Sequence, residues 1–312
     1  MKIVVLDGYA ANPGDLSWAP FEQLGELVVY DRTAPEDVAA RLDGAAMALT
    51  NKTVLTRELM VGAKDLKYVG VLATGYNVVD VAAARELGIT VCNIPAYSTD
   101  SVAQMVFALL LEICQYVGDH SRAVHGGRWT ASQDFCFWDS PLIELAGKTM
   151  GIVGYGRIGK KVAEIARCFG MKVVAWTRTP RDPECVSLDE LLKVSDVISL
   201  HCPLFPETQN LINRESIAKM KAGVIIINTS RGPVVNDADL AEALKSGKVN
   251  AAACDVAGVE PIPADNPLLG LENMIFTPHI AWATYEARAR LMDIAVENVK
   301  AFLKGNPINV VS

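Results

Sequence analysis

The sequence contains no Cys-x-x-Cys pair. Its seven cysteines, Cys92, Cys114, Cys136, Cys168, Cys185, Cys202 and Cys254, are odd in number and scattered, which excludes a disulfide framework or a cysteine-based zinc site and fits reduced, buried thiols in a cytoplasmic protein. Basic residues are outnumbered 29 to 36. Without a basic field to meet phosphate backbones or anionic lipid, neither nucleic acid nor membrane is expected as a partner. No hydrophobic run is long: the stretch from Val102 to Val117 is interrupted by Gln104, Glu112 and Gln115, so it reads as a core helix rather than a membrane span. The first residues reach Asp7 before any apolar run attains leader length, so no secretion signal is expected. No fixed-period repeat and no low-complexity tract is visible. Apolar residues, in contrast, are plentiful. They make up 51% of 312 residues, at about twice the usual domain length of roughly 150, which predicts two domains with cores of their own.

Short apolar runs alternate with helix-period stretches, the pattern of parallel strands joined by crossover helices, so the class is α/β. In the first series the strands are expected at 2–6, 27–30, 45–49, 68–72 and 89–92. Thr33 with Glu36 reads as a capping box, and the helix over 77–87 closes on Gly88. A second series of nearly continuous apolar runs covers 150–153, 172–176, 197–200, 224–228, 251–255 and 274–277, as expected of a sheet covered on both faces. Ser187 with Glu190 reads as another capping box, and the helix over 236–246 closes on Gly247. Long helices over 101–120 and 283–303 flank this second series and carry the chain between the two units, the last one returning to the first unit. Residues 120–146 hold Trp129, Phe135, Phe137 and Trp138 without periodicity, as an interface or substrate lid does.

Gly154-Tyr155-Gly156-Arg157-Ile158-Gly159 follows the strand ending at Val153 and opens a stretch with helical spacing. In that context the three glycines point to a dinucleotide: the first permits the tight turn, the second lets backbone approach a pyrophosphate, and the third lets the helix close on the sheet. The helix N-terminus adds unpaired N–H groups and partial positive charge. Twenty-three residues past Gly154, Thr177 stands where an acid normally meets the adenosine ribose. A carboxylate there repels a 2′-phosphate by about 4 kcal/mol at about 4 Å; Thr177 does not. Arg178, with Arg181, is a candidate phosphate partner, which favours NADP. Read as solvated loop charges, the same arginines leave NAD as the cofactor.

Four histidines are available as a general base: His120, His125, His201 and His279. The first two lie on the irregular segment. His201-Cys202-Pro203 reads as cofactor-lining backbone, and no companion ligands support zinc there, so no metal is expected. His279 ends a strand, and two possible helpers precede it at other strand ends, Arg231 and Glu260. In a doubly wound sheet such ends converge on the ligand crevice. Taken singly, the three read as a surface charge, a solvated acid and a turn residue.

Taken together, Gly154-x-Gly156-x-x-Gly159, the Asn228 to Gly232 segment with its arginine, Asp255 through Glu260-Pro261, and Pro278-His279 resemble the D-isomer-specific 2-hydroxyacid dehydrogenase family over nearly the whole chain. The resemblance implies a Rossmann dinucleotide-binding domain (99–286) inserted into a flavodoxin-like substrate domain (1–98 and 287–312). It implies a catalytic set of Arg231, Glu260 and His279, with His279 exchanging the hydroxyl proton, Glu260 orienting the ring and Arg231 holding the carboxylate. Cofactor contacts carried over are Thr74, Arg157, Ile158, Thr177, Cys202, Thr229 and Asp255, beside the three glycines. Ala73-Thr74-Gly75 matches the loop that receives the substrate carboxylate. Pro278 to Ala283 and Asn93 to Ser98 are most similar to the glycerate dehydrogenase (hydroxypyruvate reductase) branch, which implies reduction of hydroxypyruvate and glyoxylate. A homodimer is expected, with Trp138 reaching the partner's pocket, as in related reductases. Glu260 argues against formate dehydrogenase, whose family has glutamine there. The alternatives are a D-lactate-type dehydrogenase and a non-enzymatic dinucleotide-sensing protein, the latter disfavoured by the short chain after the last helix.

Overall fold

A computed structural model describes residues 1–180 and 182–312. The chain divides into two compact units, Met1–Ser98 with Ala283–Ser312, and Thr99–Trp282. The first contains β1 (Lys2–Val5), α1 (Ala19–Glu22), β2 (Glu26–Val29), α2 (Val38–Leu42), β3 (Met47–Thr50), α3 (Arg57–Gly62), β4 (Tyr68–Val71), α4 (Val81–Glu86) and β5 (Thr90–Cys92). These strands form a parallel sheet of order β2-β1-β3-β4-β5, the flavodoxin-like arrangement. Val4, Ala48, Val69 and Val91 come from neighbouring strands and pack with Val38, Leu42, Met60 and Ala83 from the helices in one buried cluster.

The second unit contains α5 (Thr99–Gln115), α6 (Val117–His125), β6 (Thr149–Val153), α7 (Arg157–Cys168), β7 (Lys172–Trp176), α8 (Leu188–Val194), β8 (Val197–Leu200), α9 (Arg214–Lys219), β9 (Val224–Asn228), α10 (Asp237–Lys245), β10 (Val249–Cys254) and β11 (Met274–Phe276). Its strands are parallel in the order β11-β10-β9-β8-β6-β7. A single parallel bridge, Ala175 to Cys185, adds a rudimentary strand outside β7. Counted along the chain with that bridge, the order is the Rossmann one. The continuous apolar runs follow from burial on both sides. Ile152, Val197, Ile225 and Ile227 face a cluster with α5 and α7, whereas Val153, Ile198, Val224 and Ile226 face one with α8, α9 and α10. The final helix, α11 (Tyr285–Leu303), belongs to the first unit, where its Phe302 ring lies 4.9 Å from that of Tyr68.

Three local expectations are corrected. Thr33 does not cap a helix, because its hydroxyl donates to the Leu6 carbonyl and accepts from Arg41, and Pro35 opens the following turn uncapped. The helix expected over 77–87 begins at Val81. Asn77 and Val78 instead form a turn closed by the Val79 N–H on the Tyr76 carbonyl at 3.1 Å, Val79 bridges to Leu55, whose N–H donates to the Val78 carbonyl at 2.8 Å, and Asp80 caps through the Ala83 N–H at 2.9 Å. The helix over 101–120 breaks at Tyr116, which adopts a left-handed φ of 50° while the Glu112 carboxylate accepts the Gly118 N–H at 3.1 Å. His120 is therefore helical, its Nδ1 2.8 Å from the Tyr116 carbonyl. At Ser187 the serine half of the expected box forms, its side chain accepting the Glu190 N–H at 3.1 Å, and Asn236 caps α10 by accepting the Asp239 N–H at 3.1 Å.

Candidate active site

The glycine turn is built at the end of β6, where the Gly154 N–H donates to the Trp176 carbonyl at 2.8 Å. Gly154 has φ +99°, and a Cβ there would lie 2.5 Å from the Cys202 nitrogen, so this backbone passes too close to the His201–Cys202 segment for any side chain. Gly159 abuts the Gly154 carbonyl in the same way. Gly156, the N-cap of α7, has open space where its Cβ would be and no side chain capping the helix. The first N–H groups of α7, those of Arg157 and Ile158 among them, have no partner within the helix, the arrangement that suits an anion. Thr177 follows β7, half-buried, and Arg178 is exposed with its guanidinium 5.0 Å above the Phe205 ring. Arg181 lies outside the described residues. The Thr229 hydroxyl is buried without a protein partner. An open Gly156 cradle and an orphaned Thr229 hydroxyl both fit a bound dinucleotide. Cys202 is buried, which pushes its thiol up to about 11 and keeps it neutral.

His201 sits behind this turn. Its Nε2 meets the Ser199 hydroxyl at 2.8 Å, while Nδ1 is buried without a partner. Burial lowers it from its ordinary 6.5 to about 3. The folded protein thus holds His201 neutral where the unfolded chain protonates it, so stability is lost as pH falls from about 6.5 toward 3. We expect urea midpoints measured between pH 7 and 4 to fall less in His201→Asn than in the parent, a difference of up to about 1.4 kcal/mol per pH unit. Parallel curves would show that His201 does not titrate on unfolding.

The three residues proposed for chemistry come from loops after β9, β10 and β11. Asn228, buried at the end of β9, donates to the Arg231 carbonyl at 3.0 Å and accepts from the Ser230 N–H and hydroxyl at 3.0 and 2.9 Å. The Arg231 side chain is exposed and donates to the Ser230 carbonyl at 2.7 Å. Glu260 accepts the Ala257 N–H through Oε1 at 3.1 Å, and its Oε2 lies 2.7 Å from His279 Nδ1. The pair is partly exposed, 27% for His279 and 36% for Glu260. His279 has φ 55°, a left-handed conformation sparsely populated by residues with a Cβ. Asp255, 1% exposed, holds that turn: it accepts from the Thr277 hydroxyl at 2.6 Å and the N–H groups of Ile280 and Ala281 at 2.9 and 2.8 Å.

Glu260 and His279 are thus in direct contact, and the Arg231 loop abuts the Glu260 loop at Gly232, whose missing Cβ would stand 1.9 Å from the Ala257 carbonyl oxygen. In the first unit, Ala73 to Gly75 follow β4. The buried Asn51 amide donates to the Leu72 carbonyl at 2.7 Å, the Thr74 hydroxyl to the Ile94 carbonyl at 2.8 Å, and the Asn93 amide to the Thr74 carbonyl at 2.8 Å. The sequence carried no signal for the bracing by Asn51 and Asn228 or for the Asp255 carboxylate as a clamp. His125 ends α6, and Trp138 is 61% exposed. Among the described residues no three His, Cys, Asp or Glu converge on a possible metal position, and no single helix is long and apolar enough to cross a membrane.

Residues 107–281 match the family described as D-isomer specific 2-hydroxyacid dehydrogenase, NAD binding domain. The chain is 58% identical to a hydroxypyruvate reductase of Blautia hydrogenotrophica over 100% of both chains. It is 42% identical to a glycerate dehydrogenase of Methylorubrum extorquens, covering 99% of this chain and 98% of that one. Among solved structures, a Thermus thermophilus protein superposes with a TM-score of 0.89 at 37% identity, with 100% of both chains covered.

Proposed function

This chain belongs to the D-isomer specific 2-hydroxyacid dehydrogenase family, and on that premise we propose that it reduces hydroxypyruvate and glyoxylate to D-glycerate and glycolate, with NADPH as the preferred donor. The reaction class, NAD(P)H-dependent reduction of a small 2-keto acid, is supported by the NAD binding domain family and by relatives named hydroxypyruvate reductase and glycerate dehydrogenase. The observation that carries the reading is the 2.7 Å contact between Glu260 Oε2 and His279 Nδ1 at a strand end of the Rossmann sheet. With Nδ1 engaged by a carboxylate, ring and tautomer are oriented and Nε2 is the nitrogen available to a reactant. The unit Thr99–Trp282 takes the dinucleotide on the Gly154–Gly159 turn and the Thr229 hydroxyl, and the unit of Met1–Ser98 with Ala283–Ser312 carries the Ala73 to Gly75 loop offered to the substrate.

A bound nicotinamide supplies the hydride that adds to the keto carbon. The carbonyl oxygen then needs one proton, which protonated His279 donates from Nε2; in the oxidative direction neutral His279 takes it back. Arg231 pairs with the substrate carboxylate and polarises the carbonyl, a fixed positive charge placed where negative charge develops. In the first unit the Ala73 and Thr74 carbonyls and the Thr74 hydroxyl are engaged internally, so the backbone N–H groups of Ala73 to Gly75 are the donors left for a carboxylate.

The NADPH preference rests on Thr177 in place of a ribose-binding acid and on Arg178, stacked on Phe205 beside it. A panel of hydroxypyruvate, glyoxylate, pyruvate and 2-oxobutyrate against both cofactors tests substrate and donor together. Hydroxypyruvate with NADPH should give the highest kcat/KM, and a maximum with pyruvate would favour the D-lactate-type reading. In Arg178→Ala the KM for NADPH should rise about tenfold or more, with little change for NADH, since a charge-assisted phosphate contact contributes roughly 1.5–3 kcal/mol. Equal effects on the two cofactors would reject the phosphate contact.

A further inference from the structure

Resting on the reading of His279 as the proton donor, we infer that Ser101 is a positioning residue for that imidazole. Ser101 stands in the first turn of α5, 6% exposed, and its hydroxyl donates to the Ala281 carbonyl, 180 residues later in the chain, at 2.5 Å. Ala281 is two residues beyond His279. Its N–H is already held by Asp255 at 2.8 Å, so the peptide units on both sides of Ala281 are anchored, one to a carboxylate after β10 and the other to a hydroxyl on α5. Fixing both restricts the φ and ψ of Ala281.

The need for a second anchor comes from the backbone of His279 itself. A left-handed φ of 55° at a residue with a Cβ persists only where its surroundings over-determine it. Asp255 restrains the turn through Thr277, Ile280 and the Ala281 N–H, all of which lie on one acceptor group. The chain beyond Ala281 runs through Trp282 to Thr284 without regular structure before α11 begins. Ser101 anchors the turn on that side through the Ala281 carbonyl. Its hydroxyl goes to the Ala281 carbonyl and not to the His279 imidazole, so its effect on chemistry passes through the geometry of the turn, which sets whether Nδ1 reaches Glu260 and where Nε2 points. Small errors in such placement are costly to rate.

The test is a double-mutant cycle on the purified full-length enzyme. Ser101→Ala should lower kcat for hydroxypyruvate about tenfold while the NADPH dissociation constant, read by quenching of protein fluorescence, stays within about twofold. Placed on His279→Asn, the same substitution should cost no further activity, because the group it positions is gone. A merely structural role would reduce activity by the same factor in both backgrounds. That outcome, or a Ser101→Ala enzyme with parental kcat, overturns the inference. Should the alanine protein fail to fold, Ser101→Cys, which keeps the volume and weakens the donor, is carried through the same cycle with the same deciding results. Full activity in His279→Asn alone would refute the proton-donor reading, a failure distinct from that of Ser101.

Discussion

His279→Asn should lower keto-acid reduction by about 10²–10⁴-fold, the usual contribution of a positioned acid or base, while the dinucleotide still binds. Asparagine suits this test for a structural reason. His279 sits at φ 55°, and asparagine is among the few residues other than glycine that tolerate the left-handed region. The turn held by Asp255 therefore survives the change, and what is lost is the ring nitrogen that carries the proton. Single-turnover measurements with saturating NADPH separate the chemical step from cofactor binding. Retained turnover would remove His279 from the mechanism and leave Glu260 without a base to orient.

Gly232→Ala should be comparably damaging for a different reason. The added Cβ would lie 1.9 Å from the Ala257 oxygen and 2.4 Å from the Gly258 nitrogen, and both are backbone atoms that no rotamer change can withdraw. Something larger must move, either the loop carrying Arg231 or the one carrying Glu260. Overpacking of this kind typically costs about 1–3 kcal/mol of stability. A displacement near 1 Å in either loop costs on the order of 10²-fold in rate. Urea unfolding and kcat on hydroxypyruvate measure the two effects. A variant of parental stability and rate would show that the loops do not abut.

Much of the fold was legible because the signals are local. Ile152 and Val153 are consecutive and both buried, on opposite faces of one sheet, and a continuous apolar run is what that arrangement requires. The glycine turn was equally readable, since strand, glycines and helix follow one another along the chain. Where neighbouring tertiary contacts compete, local rules failed. Thr33 carries a capping pattern, but its hydroxyl goes to the Leu6 carbonyl. Tyr116 interrupts a run that reads as one helix, and there the Gly118 N–H goes to the Glu112 carboxylate instead of a backbone carbonyl. In the candidate site, residue type and place at strand ends made Arg231, Glu260 and His279 candidates and the family resemblance joined them into a set, but nothing in the sequence pointed to their supports. Asp255 looked like a ligand contact, and its carboxylate is occupied by three donors from the next strand end.

From the order of amino acids alone follow the parallel α/β class, the two series of strands and the strand, glycine turn and helix around Gly154 to Gly159. These depend on periodicity and backbone sterics acting over a few residues. Only the tertiary structure decided that Glu260 meets His279, that Gly232 rests on Ala257, and that Ser101 reaches Ala281. Such contacts depend on which strand lies beside which and on how far each loop travels past the sheet edge, distances that spacing along the chain does not encode.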